Sequence, residues 1–456
     1  MVQGRNGSVL PEEQSLLHNQ GHQSHPRGGR LTKDHRFWVR WPVQTAHLTY
    51  ATLTNNYVNL LLVFVPLGIV AGALNWNPTV VFALNFFAII PLASLLSFAT
   101  EELAAVMGQT LGGLMNATFG NAVELIVSII SRPPGHLVAN TGTQVSIIAL
   151  KDHQIRVVQA SMLGSILSNI LLVLGCCFFV GGLRYHEQSF NSTVASTMSS
   201  LLALSSASLI IPATLYNALT DVKSDHDTDR NILVLSHGTA IILLVIYVMY
   251  LYFQLKSHSD LFEEANSEES DIENQEEGEA EEHLLSPFAA GVALIVVTVL
   301  VAVCADYLVG SIDSIVEKTG MSKTFIGLVL IPIVGNAAEH VTAVVVAWKN
   351  KMDLAIGVAV GSSLQIALFV TPFLVVLGWI LDEPMTLHFE TFETVAFFVS
   401  ALVVIFLIQD GKSNYLEGGL CLGLYMVMAI AFYVYPDTPK GDPIGGLANV
   451  VTRSFQ

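Results

Sequence analysis

The sequence carries one short polar motif twice inside apolar stretches: Gly-Asn-Ala-Val-Glu, ending at Glu124, and Gly-Asn-Ala-Ala-Glu, ending at Glu339. The amides of these motifs belong to Asn121 and Asn336. Residues three apart on a helix share a face, so we expect the amide and the carboxylate of each motif to point the same way. An ionisable side chain at membrane depth costs about 2.5 kcal/mol or more, which makes both glutamates candidate functional residues.

Facing each other, the two motifs would form a cage of oxygen atoms. Hard divalent cations are bound by carboxylates, amide or backbone carbonyls and water. Glu124 and Glu339 are the predicted metal ligands, and further oxygens are available from Asn121, Asn336, Ser165, Ser362 and Gln365. No thiolate or histidine pair stands at ligand spacing, which disfavours a zinc-type site. The donor set therefore indicates Ca²⁺ first, with Mn²⁺ or Na⁺ as further candidates.

The paired carboxylates also suggest how transport would be coupled. Two carboxylates close together at low dielectric resist being ionised at the same time. An empty site would therefore hold protons, and a divalent cation would displace them. Competition between Ca²⁺ and H⁺ for one site, combined with alternating access, would be antiport.

Three further residues are secondary candidates for proton coupling. His340 follows Glu339 and belongs to the residue type that changes charge near neutral pH, although a packing role is the simpler interpretation. Glu101 and Glu102 end an apolar stretch, where they either line an entrance or lie in a hydrated loop.

Composition predicts an all-α polytopic membrane protein. Of 456 residues, 52% are hydrophobic and 12% are charged, about half the charged fraction usual in soluble proteins. The net charge of −17 comes mostly from one acidic run. The expected partners are Ca²⁺, H⁺ and the lipid bilayer, with no nucleic acid and no cofactor.

About eleven apolar segments are long enough to cross roughly 30 Å of hydrocarbon. An extra N-terminal helix is followed by two sets of five. The predicted spans are 57–74, 79–99, 112–131, 155–181, 193–216 and 232–254, then 286–309, 323–347, 353–381, 391–409 and 415–435.

The two sets of five look like copies of each other. After the Glu motif, Gly164-Ser165 is echoed by Gly361-Ser362. The offset is 215 residues between the glutamates (339 − 124) and 197 between the glycines (361 − 164), which fits an insertion of 18 residues at 132–149. Because five is odd, the second set enters the membrane from the opposite face, which predicts inverted repeats with an ion site at the midplane.

These features divide the chain into a polar tail (1–56), the extra helix (57–74), a first repeat (79–254), an acidic linker (255–285), a second repeat (286–435) and a C-terminal tail (436–456). The N-terminal tail carries six basic residues, which predicts a cytosolic N-terminus by the positive-inside tendency. After six spans the linker would also be cytosolic. Its eleven acidic and no basic residues over 263–282 make it either a solvated spacer or a cation-collecting segment.

At these residues the sequence resembles the calcium/proton exchanger family, within the cation/Ca²⁺ exchanger superfamily, and looks most like its fungal vacuolar members. The resemblance covers about 57–435 and is carried by both Glu motifs, by Ala99-Thr100-Glu101-Glu102-Leu103 and by the acidic linker. It implies one extra span plus two inverted repeats, and it implies Glu124 and Glu339 as exchanged-ion carboxylates supported by Asn121 and Asn336. The Glu339-His340 pairing that this family shows favours H⁺ as the counter-ion.

The resemblance implies a secondary transporter, not an enzyme, that exports cytosolic Ca²⁺ into the acidic vacuole in exchange for H⁺. A Na⁺-coupled exchanger of the same superfamily is the nearest alternative, and a passive cation channel is another. A membrane hydrolase using Glu339 and His340 is disfavoured because neither His-Glu-x-x-His nor Gly-x-Ser-x-Gly accompanies them.

Overall fold

The computed structural model describes residues 57–107, 121, 155–220, 225–259, 261, 287–381 and 384–435. Both predicted tails, residues 262–285 of the predicted linker and the predicted span at 112–131, apart from Asn121, lie outside the described residues.

The described chain is almost entirely helical. A 3₁₀ turn (Tyr57–Val63) leads into α1 (Phe64–Ala73), followed by α2 (Pro78–Met107), α3 (Ile155–Leu167), α4 (Leu174–Arg184), α5 (Ser192–Thr220), α6 (Asp225–Tyr252), α7 (Pro287–Gly310) and α8 (Ile312–Thr319). The chain continues through α9 (Lys323–Phe325), α10 (Ile331–Gly335), α11 (Ala337–Trp348), α12 (Met352–Gln365), α13 (Thr371–Ile380), α14 (Thr391–Leu407) and α15 (Tyr415–Val434). Two short strands, β1 (Gln188–Ser189) and β2 (Lys412–Ser413), pair antiparallel.

Short π-helical segments join helices without interrupting their runs. They link α3 to α4, α9 to α10 and α12 to α13, and a fourth extends α6, over Ser168–Val173, Ile326–Leu330, Ile366–Val370 and Phe253–Ser257 respectively. The first begins four residues after Gly164 and the third five residues after Gly361. The two related Gly-Ser segments thus lead into the same local irregularity, a type that is frequent at functional sites.

Seven helices in the described residues are long and apolar enough to cross a membrane, and an eighth is added if a bent pair counts as one span. Two shorter apolar helices cover Val58–Ala73 and Thr391–Leu407. The predicted spans that fall on described residues all coincide with helices, so the helical membrane architecture is confirmed for this part of the chain. The bent pair occupies the predicted span 323–347, which is therefore not one continuous helix.

Two apolar clusters fill the bundle. The smaller is built mainly from α1, α2, α7 and α8, and the larger from α3–α6 and α11–α15. Residues of 326–334 contribute to both clusters, so this segment lies between them. Its contact with α3 is close because Gly164 has no Cβ, and a Cβ there would overlap the backbone carbonyl of Leu328.

Polar contacts at one end of the bundle, here named the Arg156 end, join the start of α3 to the segment before α14. Arg156 Nη2 lies 2.8 Å from Glu393 Oε1 and 3.7 Å from Glu390 Oε1. Gln159 Nε2 donates to the carbonyls of Thr386 and His388 at 2.9 and 3.1 Å. The Glu393 side chain is fully buried, so its charge depends on Arg156 and on the N–H of Glu390 for compensation.

The opposite end, here named the Gln188 end, joins the loop after α4 to the turns before α12 and α15. Strand β1 pairs with β2, with Gln188 opposite Ser413. The N–H of Asn191 donates to Asp353 Oδ1 at 2.7 Å. From Arg156 onward, successive described spans run alternately between the two ends, as a polytopic bundle with short loops requires.

We expect Arg156→Gln to lower the unfolding temperature of the purified protein, because it leaves the carboxylate of Glu393 buried without its cation. Removing one partner of a fully buried pair costs about 3–5 kcal/mol, and the loss here is smaller because Arg156 is 40% exposed. Adding Glu393→Gln should recover part of the loss. Unfolding followed by fluorescence-detected gel filtration measures both effects.

The control is Lys412→Gln, which removes an ion pair with Glu187 whose two side chains are 54% and 50% exposed. Exposed pairs contribute about 0–1 kcal/mol, so this variant should unfold near the wild-type temperature. Wild-type stability of Arg156→Gln would contradict the structural role given to the buried pair.

Candidate functional site

The second Glu motif lies at a break between helices. Helix α10 ends at Gly335, α11 begins at Ala337, and the run Lys323–Gly335 is bent by 60° from Glu339–Trp348. Asn336 between them has φ −96° and ψ 10°. The assumption of one continuous helix is corrected here. Asn336 precedes the first residue of α11 and Glu339 is its third, so the expectation that their side chains share a face stays a prediction.

The break exposes backbone groups at the centre of the sequence motif. The first hydrogen bond of α11 runs from the His340 N–H to the Asn336 carbonyl at 2.9 Å. The N–H groups before it and the last carbonyls of α10 therefore lack partners within their own helices. Helix ends of this kind supply carbonyl oxygens for cations inside membrane bundles.

Glu339 is the third residue of α11 and lies beside α12. Its carboxyl group lies close to the Ser362 hydroxyl and near enough to Glu101 to interact with it electrostatically. Within the described part of the chain, Glu339 Oε2 and Asn336 Nδ2 are buried atoms without a hydrogen-bond partner. Buried polar atoms are nearly always satisfied, so the two atoms mark a place suited to a ligand.

Asn121 and α12 bring the two halves of the sequence together. The Asn121 side chain is fully buried, and its Nδ2 donates to Gln365 Oε1 at 2.6 Å. Ser362 Oγ donates to Asn121 Oδ1 at 3.4 Å. Ser362 and Gln365 are three residues apart on one helix, so both reach the same neighbour. Of the predicted site, the structure thus joins Asn121, Ser362, Gln365 and Glu339.

Other predicted site residues lie outside this network or outside the described chain. Glu124 is outside the described residues, so the pairing of two glutamates stays a prediction. Ser165 is fully buried, and its Oγ has no partner among the described residues. Asn336 is at the break, and its Nδ2 has no partner in the part of the chain that the structure describes.

The secondary candidates occupy two different settings. His340 is partly buried, and its Nε2 is a buried atom without a partner in the described residues. Glu101 is exposed near the end of α2 and accepts a hydrogen bond from Ser97 at 2.8 Å. Its neighbour Glu102 is partly buried. Both residues lie within helix α2 and not in a loop, and their role at an entrance stays a prediction.

Sequence reasoning missed Asn169. This residue ends the segment Gly164–Asn169, is 1% exposed, and donates from Nδ2 to Ser362 Oγ at 3.1 Å. Ser362 is therefore the shared hydrogen-bond partner of Asn121 and Asn169, and Glu339 lies beside it. The signal was present in the sequence, since Asn169 is a buried amide in the segment that repeats as Gly361–Gln365.

Comparison with known proteins then decides the family. The profile of the family described as sodium/calcium exchanger protein matches residues 77–137, 142–256 and 289–434. The chain belongs to this family. It is 50% identical over 389 residues to the vacuolar calcium ion transporter of Schizosaccharomyces pombe, covering 85% of this chain and 87% of that protein.

Other members of the family agree in length and architecture. The Ca²⁺/H⁺ antiporter of Aphanothece halophytica is 42% identical over 385 residues, covering 83% of this chain and 97% of that protein. The crystal structure of the selenium-substituted Ca²⁺/H⁺ antiporter protein YfkE aligns with a TM-score of 0.64 at 35% identity, covering 82% of this chain and 98% of that chain. The resemblance to the exchanger family predicted from the motifs is confirmed.

We expect the hydrogen bond between Asn169 and Ser362 to couple the two halves of the sequence. Asn169→Leu and Ser362→Ala should each lower the unfolding temperature. The decrease in the double variant should be smaller than the sum of the decreases in the two single variants. A buried hydrogen bond contributes about 1 kcal/mol, and contacting residues show non-additive effects. Thr197→Ala is the control, because its exposed hydroxyl bonds only within its own helix in the described contacts. Strictly additive losses would contradict the coupling.

Proposed function

We propose that this chain is a secondary active antiporter that moves cytosolic Ca²⁺ into an acidic compartment in exchange for lumenal H⁺. The observation that carries the proposal is the identity of 50% and 42%, over most of the chain, to proteins named a vacuolar calcium ion transporter and a Ca²⁺/H⁺ antiporter. The vacuolar membrane is the proposed location, by the same relatives.

The site has the chemistry that the proposed exchange needs. Glu339 supplies a carboxylate whose buried Oε2 has no partner among the described residues, and Asn121, Ser362 and Gln365 supply neutral oxygens in the adjoining network. Hard oxygen donors of mixed type suit Ca²⁺. We assign Glu124 as the second carboxylate because its motif matches that of Glu339 and because Asn121, three residues earlier, lies in the network of Ser362.

The coupling follows from competition for one site. With Ca²⁺ bound, both carboxylates are ionised and face the cation. When the ion leaves, two like charges in a low-dielectric site resist remaining ionised, so protons bind in its place. The transporter then switches from one side of the membrane to the other with protons bound, and switches back with Ca²⁺ bound. The result is exchange of Ca²⁺ for H⁺. His340 and Glu101 are proposed as secondary groups on the proton path.

The proposed repeat arrangement and orientation draw support from the two ends of the bundle. Helix α5 begins at the Gln188 end and reaches Thr391 at the Arg156 end, so α6 ends at the Gln188 end. The turn before α2 and the end of α8 meet through Asn77 and Lys318 at the Arg156 end, so α1 and α7 begin at the Gln188 end. The basic tail and the acidic linker, which adjoin these helix ends in the sequence, would therefore share one face of the membrane. We propose that this face is cytosolic and that 79–254 and 286–435 are inverted five-helix repeats.

We expect proteoliposomes with an acidic interior to accumulate Ca²⁺ when Na⁺ and K⁺ are omitted. Glu339→Gln and Glu124→Gln should each reduce this uptake at least about tenfold, because an amide neither binds a proton nor carries the charge that holds a divalent cation. Glu317→Gln, an exposed carboxylate on α8, is the matched control and should transport normally. Normal uptake by either site variant would refute the site.

The alternatives separate in the same vesicles. The family is described as sodium/calcium exchanger protein, so a Na⁺-coupled exchanger is one alternative. Such a protein would accumulate Ca²⁺ when a Na⁺ gradient is the only gradient present. A passive channel would equilibrate Ca²⁺ without any counter-gradient. We expect neither activity, since the relative from Aphanothece halophytica is named a Ca²⁺/H⁺ antiporter.

A further inference from the structure

At the end of α11 away from Glu339, two side chains from the first half of the sequence hold the last carbonyls of this helix. Gln188 Nε2 donates to the carbonyl of Ala347 at 3.0 Å and to Asn350 Oδ1 at 2.9 Å. Arg184 Nη1 donates to the carbonyl of Trp348 at 3.0 Å, with its guanidinium 4.9 Å above the Trp348 ring. These contacts cap the C-terminus of α11 from outside its own half.

Of the two donors, Gln188 has the stronger hold on the helix. Its side chain is 1% exposed, so water cannot replace its hydrogen bonds if they are lost. Arg184 is exposed, and water can satisfy the carbonyl that it contacts. Gln188 is also fixed itself, because its backbone pairs with Ser413 and because Gly181 leaves room for its Oε1, where a Cβ would overlap.

The orientation of α11 depends on this end because its other end is the break. Asn336 still donates its N–H to the Pro332 carbonyl and accepts from the His340 N–H, but the chain bends by 60° there, so α10 does not hold α11 in line with itself. The helix is stiff, with about 1.5 Å of rise per residue, so Glu339 lies about 12 Å from Ala347 along the axis. A tilt allowed at Ala347 therefore displaces the carboxyl group of Glu339 relative to Ser362.

We propose that Gln188 is a positioning residue for the cation site and sets its affinity through Ala347, Asn350 and the rigid helix α11. Gln188 touches neither the ion nor the proton. It holds the helix that carries Glu339 at the angle where the carboxyl group meets the oxygens of the opposing half. This inference rests on the proposed function, since the affinity in question is that for Ca²⁺.

The test is Gln188→Met, which keeps the length of the side chain and removes both donated hydrogen bonds. In proton-gradient-driven uptake by proteoliposomes, the apparent KM for Ca²⁺ should rise about fivefold, while the maximal rate per folded transporter stays within about twofold. A purely structural role would lower the amount of folded protein and leave KM unchanged. Unchanged KM in folded Gln188→Met overturns the proposal.

A second variant covers the case in which Gln188→Met fails to fold. Asn350→Gly suits the backbone, since Asn350 has φ 66°, a left-handed conformation that glycine adopts readily. It removes one of the two acceptors of Gln188 and should raise KM about twofold, and a wild-type KM here would also overturn the proposal.

Two comparisons make the result specific. Lys412→Gln alters strand β2 next to the contact without touching Gln188 Nε2, so its KM should equal that of the wild type, and an equal rise there would overturn the assignment to Gln188. Absence of proton-driven Ca²⁺ uptake by the wild type would overturn the proposed function itself. Wild-type uptake with unchanged KM in the variants would overturn the positioning role alone.

Discussion

A helix that breaks inside an apolar bundle exposes backbone groups that lipid cannot satisfy, and this constraint organises the centre of the molecule. After the break at Asn336, α11 packs against α12, whose polar face carries Ser362 and Gln365. The first turn of α11 then presents Glu339 to that face. A charged residue and a broken backbone are each costly in a membrane, and here the same polar neighbourhood serves both.

The hydrogen bonds around the break join the two halves of the sequence. Asn121 reaches Gln365 across 244 residues, and Asn169 reaches Ser362 across 193. Each such bond contributes about 0.5–1.5 kcal/mol net, which is small enough to be exchanged for contacts with a bound ion. In the proposed exchange, an ion bound at this place therefore contacts both halves of the chain, and alternating access requires such shared contacts.

The ends of the bundle are held differently from its centre. At the Arg156 end a buried carboxylate is paired with an arginine, and at the Gln188 end a buried amide caps helix carbonyls. Both contacts are costly to break, because each leaves a buried polar group without a partner. The helices that carry the site are thus fixed at their ends. The buried polar atoms without partners among the described residues that we assign to the cation site lie in the middle of the bundle.

Much of the architecture was predictable because it depends on hydropathy and spacing. The apolar runs fixed the helices at 155–181 and 353–381 to within a few residues, and the repeated motif picked out Asn121, Glu339 and the α12 residues. The break at Asn336 was harder to predict, since a glycine permits a helix to unwind without determining where it ends.

The roles of three residues, Asn169, Glu393 and Gln188, could not be predicted from the sequence. Each is polar, and each gains its role from a partner more than 150 residues away: Asn169 from Ser362, Glu393 from Arg156 and Gln188 from Ala347. The sequence by itself determined the membrane-spanning helices, the family and the oxygen-rich motifs, because these follow from local composition and order. Only the tertiary structure decided which polar groups meet, because burial and hydrogen bonding depend on how distant helices pack.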